Sequence, residues 1–364
     1  MFTDQLSKAF VRQGHDVTVI APQSLTKCLF RHVPLAKNKA IIYSCEGKKL
    51  TLLRPKYLSA GARGDVFKFL FGRSYSNAIS RAFKSIKDPI DFCMGEFWEA
   101  AKAIFPYIKE KGIPLFPQCG EEEVTQQRIG FSDEDIINIR TYMSGVVNVS
   151  TKNEDESREV GLIDENKTCV IPNGVDSAVF YPRNKKECRE KLNIKDEFVV
   201  AFLGQFNSRK GVLRLDNALK KIGKNDIKVI YMGRGIEDPS YDGIIFKGTV
   251  MHDILPEYLS AADAFVLPTN NEGCANAVIE AMSCGLPIIT SDLPFSHDIL
   301  DKKSALLINP ENEEEIKSAI LKLYNDNDLR QNLALLSLEK AKDLTLERRV
   351  DKFIAFVQMR LKYN

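Results

Sequence analysis

The chain has 364 residues, of which 44% are hydrophobic and 27% charged, a composition typical of a globular protein with two domains. No apolar run is long enough for a membrane span, and the opening residues MFTDQLSKAF lack the pattern of a signal peptide. The net charge is +2, and eight scattered cysteines form no CxxC pair and no Cys/His cluster, which argues against zinc and disulfides and favours a reducing, cytoplasmic setting.

The chain opens with a helical pattern, QLSKAFVRQG, which ends at Gly14 and precedes the short strand DVTVIAP. A doubly wound domain usually begins with a strand that lies in the middle of its sheet. That strand and the glycine-rich loop after it are missing from the sequence. We therefore expect an incomplete N-terminus, or another segment in the place of the strand.

Basic residues are concentrated between residues 27 and 87, where 14 Lys/Arg are opposed only by Glu46 and Asp65. The same stretch contains the apolar segment VFKFLF at 66–71. One interpretation is a solvated basic face over a core helix, and the other is peripheral contact with an anionic membrane surface. Nucleic acid is the weakest interpretation, because no nucleic-acid-binding motif accompanies the charge.

Strand and helix patterns alternate through both halves of the chain. In the first half, strands are predicted near 40–44 and 50–54 and in PIDFCMGEF, IPLFP, GVVNVS and TCVIPNG, with Asp91 and Glu96 as surface acids at a strand end. In the second half, they are predicted in EFVVAFLG, IKVIYMG, GIIFKG, DAFVLP and LPIITS. Such alternation predicts an α/β protein with parallel sheets covered by helices on both faces.

The predicted boundary between the halves lies at 173–196, a stretch rich in Asn, Pro and Lys. We therefore expect one doubly wound domain at 1–172, a linker at 173–196 and a second such domain at 197–345. Each domain would present the carboxyl ends of its strands to the cleft between them.

The most informative segment is PTNNEGCANAVIEAMSCGLPIIT at 268–290, in which Glu272 and Glu280 lie eight positions apart. Buried-strand patterns flank it, and an apolar helix begins between the two glutamates. The free amides and the dipole at the start of that helix favour a phosphate. Glu280 lies about one turn inside the helix, roughly 6–8 Å along its axis. Each carboxylate is therefore placed to hold a pair of hydroxyls at one end of a sugar diphospho-nucleoside.

A second loop, GQFNSRKG at 204–211, follows a predicted strand and opens a helix. Gly204 allows close approach of the backbone to a phosphate, and Lys210 supplies a positive charge. An RKG sequence is also common in solvated loops, but its place at a strand end of the same domain as Glu272 favours ligand contact. Gly233 and Gly235 form a further glycine-rich strand end, a pattern that more often marks a tight turn.

Together with QLSKAFVRQGHDVTVIAP, VIPNGVDSAVFYP, AADAFVLPTNNEGCANAVIEAMSCGLPIITSDLP and LLINPENEEEIKSAI, these motifs resemble a retaining glycosyltransferase of family 4. The resemblance runs from Gln5 almost to the C-terminus. It implies the GT-B fold of two Rossmann-like domains facing a cleft, with a C-terminal helix at 346–364 that crosses back to the first domain. Asn173 and Gly174 would lie at the crossover between the domains.

The implied activity is transfer of a hexose or N-acetylhexosamine from a nucleotide-diphospho-sugar to a hydroxyl of a glycan or lipid-linked glycan in cell-surface polysaccharide synthesis. No cofactor and no metal are implied, because Lys210 and the helix-end amides neutralise the diphosphate. The lipid-linked acceptor and the basic segment 27–87 together suggest a cytoplasmic protein at the inner face of the membrane.

The resemblance also implies roles for individual residues. Glu272 would hold hydroxyls of the transferred sugar and stabilise charge at its ring, and Glu280 would hold the ribose hydroxyls. Lys210 would neutralise the leaving diphosphate. Gly233, Thr249 and Val250 would line the base pocket. The remaining implied donor contacts are Gly204, Gln205, Arg209, Gly273, Cys274, Ala275 and Asn276.

The chain departs from the family pattern at two further points. Gln205 stands where the family often has Arg, so a positive charge is lost unless Arg209 replaces it. The sequence Gln118–Cys119–Gly120–Glu121 stands where the family often has His–Gly, and Glu121 is only a partial substitute. Gln205 and the missing first strand favour an alternative, a truncated or inactive glycosyltransferase-like protein. A nucleotide-sugar epimerase of the same architecture is a further alternative, but no persuasive set of acid and base residues supports it.

Overall fold

We describe a computed structural model of the protein, which covers residues 2–59, 65–128 and 130–362. The strands of the first half are β1 (Val17–Ile20), β2 (Gln23–Ser24), β3 (Lys39–Cys45), β4 (Lys48–Leu53), β5 (Lys56–Tyr57), β6 (Cys93–Glu96), β7 (Leu115–Cys119), β8 (Val146–Asn148) and β9 (Thr168–Val170). Its helices are α1 (Phe2–Arg12), α2 (Leu25–Phe30), α3 (Asp65–Lys84), α4 (Phe97–Lys111), α5 (Val124–Arg128), α6 (Asp133–Tyr142) and α7 (Thr151–Glu159), followed by a 3-10 turn at Glu165–Lys167.

The strands of the first half are divided among separate sheets. Strands β6-β7-β8-β9 form a parallel sheet, β1-β4-β3 form a mixed sheet, and β2 pairs with β5. The predicted parallel pairing does not extend to β3, which runs antiparallel to β4. The cause is the two-residue turn Glu46–Gly47, where both φ angles are positive, at 48° and 82°, because such turns join adjacent antiparallel strands.

The break between the two larger sheets lies between β1 and β6, each of which is an edge strand among the described residues. The two edges share one core, since Val17 of β1 and Met94 of β6 both pack against the cluster that contains Phe10, Phe116 and Phe353. The first described element is the helix α1. The predicted apolar segment 66–71 lies within α3, but its side chains, like residues 60–64, lie outside the described part of the chain.

The second half contains the strands β10 (Phe198–Leu203), β11 (Ile227–Met232), β12 (Ile244–Gly248), β13 (Ala264–Leu267), β14 (Ile288–Ser291) and β15 (Ala305–Ile308). Its helices are α8 (Lys185–Lys191), α9 (Val212–Ile222), α10 (Leu255–Ala261), α11 (Asn276–Ser283), α12 (Pro294–His297), α13 (Glu313–Asn325), α14 (Asn327–Ala341) and α15 (Leu346–Lys362).

The strands of the second half form one parallel sheet in the order β12-β11-β10-β13-β14-β15. This confirms the predicted doubly wound arrangement, and Val266 pairs with Ile289 as the flanking-strand patterns suggested. The strand order reverses between β10 and β13. Open α/β sheets bind their ligands at such a reversal, in the crevice beyond the carboxyl ends of the two strands.

The two halves are joined by two neighbouring stretches of chain. The Val175 N–H donates to the Leu344 carbonyl at 2.9 Å, and the Leu346 N–H donates to the Val175 carbonyl at 3.0 Å. A side chain at Gly174 would place its Cβ 2.4 Å from the Thr345 carbonyl oxygen, so only glycine allows this approach.

Helices α8 and α15 lie near these connections. The segment 173–196 contains α8, where Arg189 pairs with Asp263 of the second half at 2.5 Å. Helix α15 returns to the first half, where the Phe353 ring packs against Phe10 and Phe116 at 5.8 and 6.4 Å between ring centroids.

In the described residues, no helix has the length and apolar character needed to cross a membrane.

Candidate active site

Two loops meet at the reversal point of the second sheet. Residues 204–211 follow β10, and residues 268–275 follow β13. The Asn270 N–H donates to the Arg209 carbonyl at 2.8 Å. Gly211 has a φ of 73°, and a Cβ there would lie 2.3 Å from the Pro268 carbonyl oxygen. Glycine at this position therefore allows the loops to touch, which brings Lys210 beside Glu272.

Glu272 is held by two cations and a hydroxyl. Its carboxylate pairs with the Lys210 ammonium (Nζ to Oε1, 2.5 Å) and with the Arg209 guanidinium (Nη1 to Oε2, 3.2 Å). The Thr269 hydroxyl donates to Oε1 at 2.8 Å. Glu272 is only 5% exposed, so these contacts fix its orientation. The two cations face Glu272 and one further carboxylate, that of Glu122, so a bound anion would compete with these carboxylates for them.

Arg209, rather than Gln205, supplies the second cation. Gln205 is exposed, and its side-chain oxygen accepts a hydrogen bond from the Asn207 amide at 3.1 Å. Arg209 also reaches across to the first half, where its Nη2 pairs with Glu122 Oε1 at 2.6 Å. Its guanidinium therefore bridges the two halves at the edge of the cleft.

Helix α11 begins directly after this cluster. Its cap residue, Ala275, offers no side-chain hydrogen bond, and its first turn contains no acidic residue. No side chain therefore caps the amides of the first turn. The absence of such a cap is what an anion site at a helix start requires. Asn276 is the first helical residue, and its side-chain oxygen accepts from the Asn173 amide at 2.8 Å. Glu280 lies one turn further along the helix.

Glu280 does not touch the Lys210–Glu272 pair and is held separately. Its Oε1 lies 3.4 Å from Nε2 of His252, and the His252 ring packs edge-on against Phe180 at 4.9 Å between centroids. Burial raises the pKa of Glu280, while the hydrogen bond to His252 and the charge of Lys210 act in the opposite direction. A buried carboxylate of this kind has unused acceptor capacity for ligand hydroxyls.

The predicted base pocket lies at neighbouring strand ends. The Gly204 N–H donates to the Met232 carbonyl at 3.0 Å, and the Gly233 N–H donates to the Gly248 carbonyl at 2.8 Å. A Cβ at Gly233 would lie 1.8 Å from the Gly204 carbonyl oxygen. Thr249 and Val250 follow directly, and His252, the partner of Glu280, is two positions further on. The sheet thus arranges the predicted donor residues along one rim that ends at Glu280.

Residues 197–326, which contain this rim, match the sequence model of the family described as glycosyl transferases group 1. They form a glycosyltransferase group 1 domain. A similar protein is the putative teichuronic acid biosynthesis glycosyltransferase TuaC of Bacillus subtilis, which is 28% identical over 196 residues, or 52% of this chain and 49% of the relative.

Another relative is the N,N'-diacetylbacillosaminyl-diphospho-undecaprenol alpha-1,3-N-acetylgalactosaminyltransferase of Campylobacter jejuni, which is 31% identical over 200 residues, or 51% of this chain and 52% of the relative. The matched part of the chain therefore spans about half the length of each of these two relatives.

Solved structures resemble the whole fold. A sucrose-phosphate synthase from Thermosynechococcus elongatus has a TM-score of 0.78 at 18% identity and covers 100% of this chain and 93% of its own. HepE from Anabaena, solved with UDP and glucose, has a TM-score of 0.70 at 15% identity and covers 96% of this chain and 94% of its own. The chain has the GT-B fold of these proteins, in which two Rossmann-like domains face a cleft.

The cleft beside the glycosyltransferase group 1 domain contains a residue that the sequence analysis missed. Phe97 has a φ of 67°, uncommon for an aromatic residue, and is 44% exposed. It lines a cavity of about 440 Å³ together with Glu122, Arg209 and Asn271. Only its position directly after β6 could have indicated it, because the cavity arises where the two halves meet.

Glu121 lines the same cavity but is bound mainly to its own half. Its two carboxylate oxygens accept from the Trp98 and Gly120 N–H groups, each at 2.8 Å, and burial raises its pKa. On the other side, a Cβ at Gly273 would lie 2.6 and 2.7 Å from the Gly120 and Glu121 carbonyl oxygens. The predicted donor loop of the group 1 domain therefore touches the first half backbone to backbone.

Gln118, the first residue of the stretch that departs from the family's His–Gly pattern, is part of a buried polar row. Its side-chain oxygen accepts from Arg349 Nη2 at 2.8 Å, and its amide donates to Glu96 at 3.0 Å. Arg349 also donates to the Pro172 carbonyl at 2.6 Å. Asp91 is exposed as expected, whereas Glu96 lies at the end of its strand but is only half-exposed, and its burial raises its pKa. The row ties α15 to the strand ends of the first half.

Proposed function

We propose that the chain is a retaining glycosyltransferase of family 4. It moves a hexose or N-acetylhexosamine from a nucleotide-diphospho-sugar to a hydroxyl of a glycan or lipid-linked glycan in cell-surface polysaccharide synthesis. The observation that carries the proposal is the contact of Lys210 and Arg209 with Glu272, at 2.5 and 3.2 Å, directly before the uncapped start of α11.

In this proposal, the donor diphosphate binds at the start of α11, where it competes with Glu272 for the two cations. Lys210 and Arg209 then neutralise the charge that develops as the diphosphate leaves, and they do so in a site that is largely shielded from water. Glu272 is released to hold hydroxyls of the transferred sugar and to stabilise positive charge at its ring. Because these cations and the helix amides supply the charge, no metal or cofactor is required.

Glu280 holds the ribose hydroxyls, and the strand ends at Gly233, Thr249 and Val250 receive the base. Ribose and base are then adjacent, since His252 contacts Glu280 two positions after Val250. Most contacts to the base are made by the backbone, so the choice of base rests on the shape of the rim.

The acceptor enters through the cleft beside Phe97, where Glu122 and Arg209 lie on the cavity wall. Its hydroxyl attacks on the side from which the diphosphate leaves, and the leaving phosphate takes the proton, so the anomeric configuration is retained. The name of the Campylobacter relative specifies a diphospho-undecaprenol-linked substrate and an N-acetylgalactosaminyl group. It supports a lipid-linked acceptor, and we place the protein at the inner face of the membrane as part of the same proposal.

The test is binding and hydrolysis of UDP-, GDP- and ADP-sugars by the wild type, by Glu280→Gln and by the control Glu339→Gln, which changes an exposed carboxylate. We expect one nucleotide to bind the wild type and the control, and Glu280→Gln to bind it at least tenfold more weakly. Equal binding by Glu280→Gln would contradict the assigned donor site. Binding without transfer to any acceptor would favour the inactive alternative, for which Gln205 is the supporting residue.

A further inference from the structure

Helix α2 and the loop after it project from the first half and expose apolar side chains. Every residue from 29 to 35 is exposed, and the exposed fractions are 74% for Leu29, 81% for Phe30, 50% for Val33 and 47% for Leu35. Helix α2 has no buried residue. Single exposed apolar side chains are normal, but several in one short run indicate a surface that another phase or molecule covers.

The same run is positively charged. No Asp or Glu occurs between Asp16 and Glu46. The basic side chains interspersed with the apolar ones are all exposed, and they are Lys27, Arg31, Lys37 and Lys39. Apolar tips flanked by Lys and Arg are the pattern of a protein surface that enters the interface of an anionic bilayer.

The segment is anchored at its base. Ser24 caps α2 by accepting from the Lys27 N–H, and its hydroxyl lies 2.5 Å from that of Ser59. At the other end, the Ala36 N–H donates to the Gln23 side chain at 3.2 Å. The exposed run is therefore the tip of a held loop, so its apolar residues face outward without a large loss of chain entropy on binding.

Building on the membrane position in the proposed function, we propose that residues 25–39, here called the docking segment, bind the protein to the surface of an anionic membrane. Leu29 and Phe30 enter the interface between headgroups and acyl chains, while Arg31 and the other basic side chains contact the anionic headgroups. The docking segment is a different part of the basic stretch from the apolar segment 66–71. We assign it from the side chains of α2, which the structure describes.

Charge decides among the possible occupants. A symmetric contact with a second copy would bring the same patch against itself, and its basic residues would repel each other because no acidic residue lies among them. A nucleic acid would neutralise the charge but would leave Leu29 and Phe30 in water. An anionic lipid surface satisfies both features, since it offers phosphates at the depth of the basic groups and hydrocarbon below them.

The experiment is co-sedimentation of the full-length chain with vesicles of phosphatidylcholine alone and with added phosphatidylglycerol. We expect binding only to the anionic vesicles, with a decline as salt concentration increases. Leu29→Ser/Phe30→Ser should lose at least tenfold in affinity. Lys27→Gln/Arg31→Gln should lose about fivefold per charge, since each basic group near such a surface contributes about that factor.

The matched control is Ile236→Ser, which removes an apolar side chain that is 95% exposed in the second half and should not change vesicle binding. Wild-type affinity for anionic vesicles in Leu29→Ser/Phe30→Ser, or no wild-type binding to such vesicles, would overturn the proposal. So would loss of self-association in that variant without any effect on vesicles. Nucleotide binding is measured in parallel and does not involve the docking segment. The proposed donor site and the proposed membrane contact are therefore tested separately.

Discussion

At the scale of single residues, the site depends on how the Glu272 side chain is held in place. A carboxylate that is 5% exposed requires partners, and Lys210, Arg209 and Thr269 provide them. The same two cations would also serve the diphosphate. In the proposed function, binding of the donor would therefore be an exchange of partners rather than the capture of an anion by free charges.

Removal of one cation should affect turnover more than donor binding. Lys210→Ala leaves Glu272 with Arg209 and Thr269 but removes a charge that would face the leaving group. Loss of one such stabilising group typically costs about 10²–10³ in kcat, and we expect a loss in that range with a smaller change in donor Kd. Steady-state kinetics and nucleotide titrations measure the two effects. Lys302→Ala, at an exposed lysine, is the control, and an unchanged kcat in Lys210→Ala would refute the assignment.

Donor affinity should depend on pH through Glu280. Burial raises the pKa of this carboxyl, so on acidification it is protonated at a higher pH than an ordinary glutamic acid, whose pKa is about 4.3. Only the carboxylate accepts hydrogen bonds from two ribose hydroxyls at both oxygens. The affinity should therefore be full at high pH and decline as the pH falls through the raised pKa. Calorimetric Kd values across a pH series measure this decline.

Two variants distinguish the titration of Glu280 from the titration of other groups. Glu280→Gln should bind weakly with a flat pH profile. His252→Asn removes a hydrogen bond that lowers the pKa of Glu280, so the decline should begin at a higher pH than in the wild type. A profile in Glu280→Gln that falls as steeply as that of the wild type would show that another group titrates.

At the scale of elements, glycines set how closely the strand ends of the second sheet approach. A Cβ at Gly233 would lie 1.8 Å from the backbone oxygen of Gly204, and backbone cannot yield as a flexible side chain can. Gly233→Ala should therefore destabilise the protein by about 1–3 kcal/mol, the usual range for overpacking, and weaken nucleotide binding by displacing the rim.

Thermal unfolding with a nucleotide titration tests this prediction. The matched change is Gly72→Ala in α3, where a Cβ would meet nothing within 4 Å. Because Ala is favoured over Gly inside a helix by roughly 0.5–1 kcal/mol, this change should raise the Tm slightly and leave binding unchanged. We expect Gly233→Ala to lower the Tm and Gly72→Ala to raise it. A Gly233→Ala protein with wild-type stability and nucleotide binding would show that the strand ends can accommodate a Cβ at this position.

The elements that the sequence predicted well are those that depend on local pattern. The strand, loop and helix around Glu272 and Glu280 were predictable, because buried parallel strands and an apolar helix leave strong periodic signals. The antiparallel pairing of β3 was not predicted, because it rests on the positive φ of Glu46 rather than on hydrophobic pattern. The sequence raised Arg209 only as a possible replacement for the charge missing at Gln205. It did not indicate that Arg209 and Lys210 both reach Glu272, because the pairing joins residues about 60 positions apart.

At the scale of the whole molecule, a cleft between two domains was predicted, but the residues of the first half that line it were not. Phe97 and Glu122 of the first half meet Arg209 and Asn271 of the second only because the halves dock in one particular way. That docking is fixed by the packing of α15, by Arg349 at the strand ends, and by the close approach of Gly273 to Gly120. None of these contacts can be predicted from the hydrophobic periodicity of the sequence, because each joins residues far apart in the chain.

The approach at Gly273 yields a prediction for the relation between the halves. In Gly273→Ala, the new Cβ would lie 2.6 Å from the Gly120 oxygen and 2.7 Å from the Glu121 oxygen. Since neither backbone can move alone, the two halves must separate. The proposed donor site lies within the second half, whereas the proposed path of the acceptor runs between the halves. We therefore expect kcat to fall about tenfold or more, in line with the cost of small misplacements between reacting groups, while donor Kd changes little.

Kinetics, nucleotide titration and small-angle scattering on the same samples distinguish the possible causes. Separation of the halves predicts a larger radius of gyration together with the lower kcat, and Gly72→Ala should show neither. If donor affinity falls as much as kcat at an unchanged radius, the Gly273 amide acts on the donor and the contact with Gly120 is incidental. If all three measurements match the wild type, the backbone contact does not set the width of the cleft, and the closed arrangement depends on α15 and Arg349 instead.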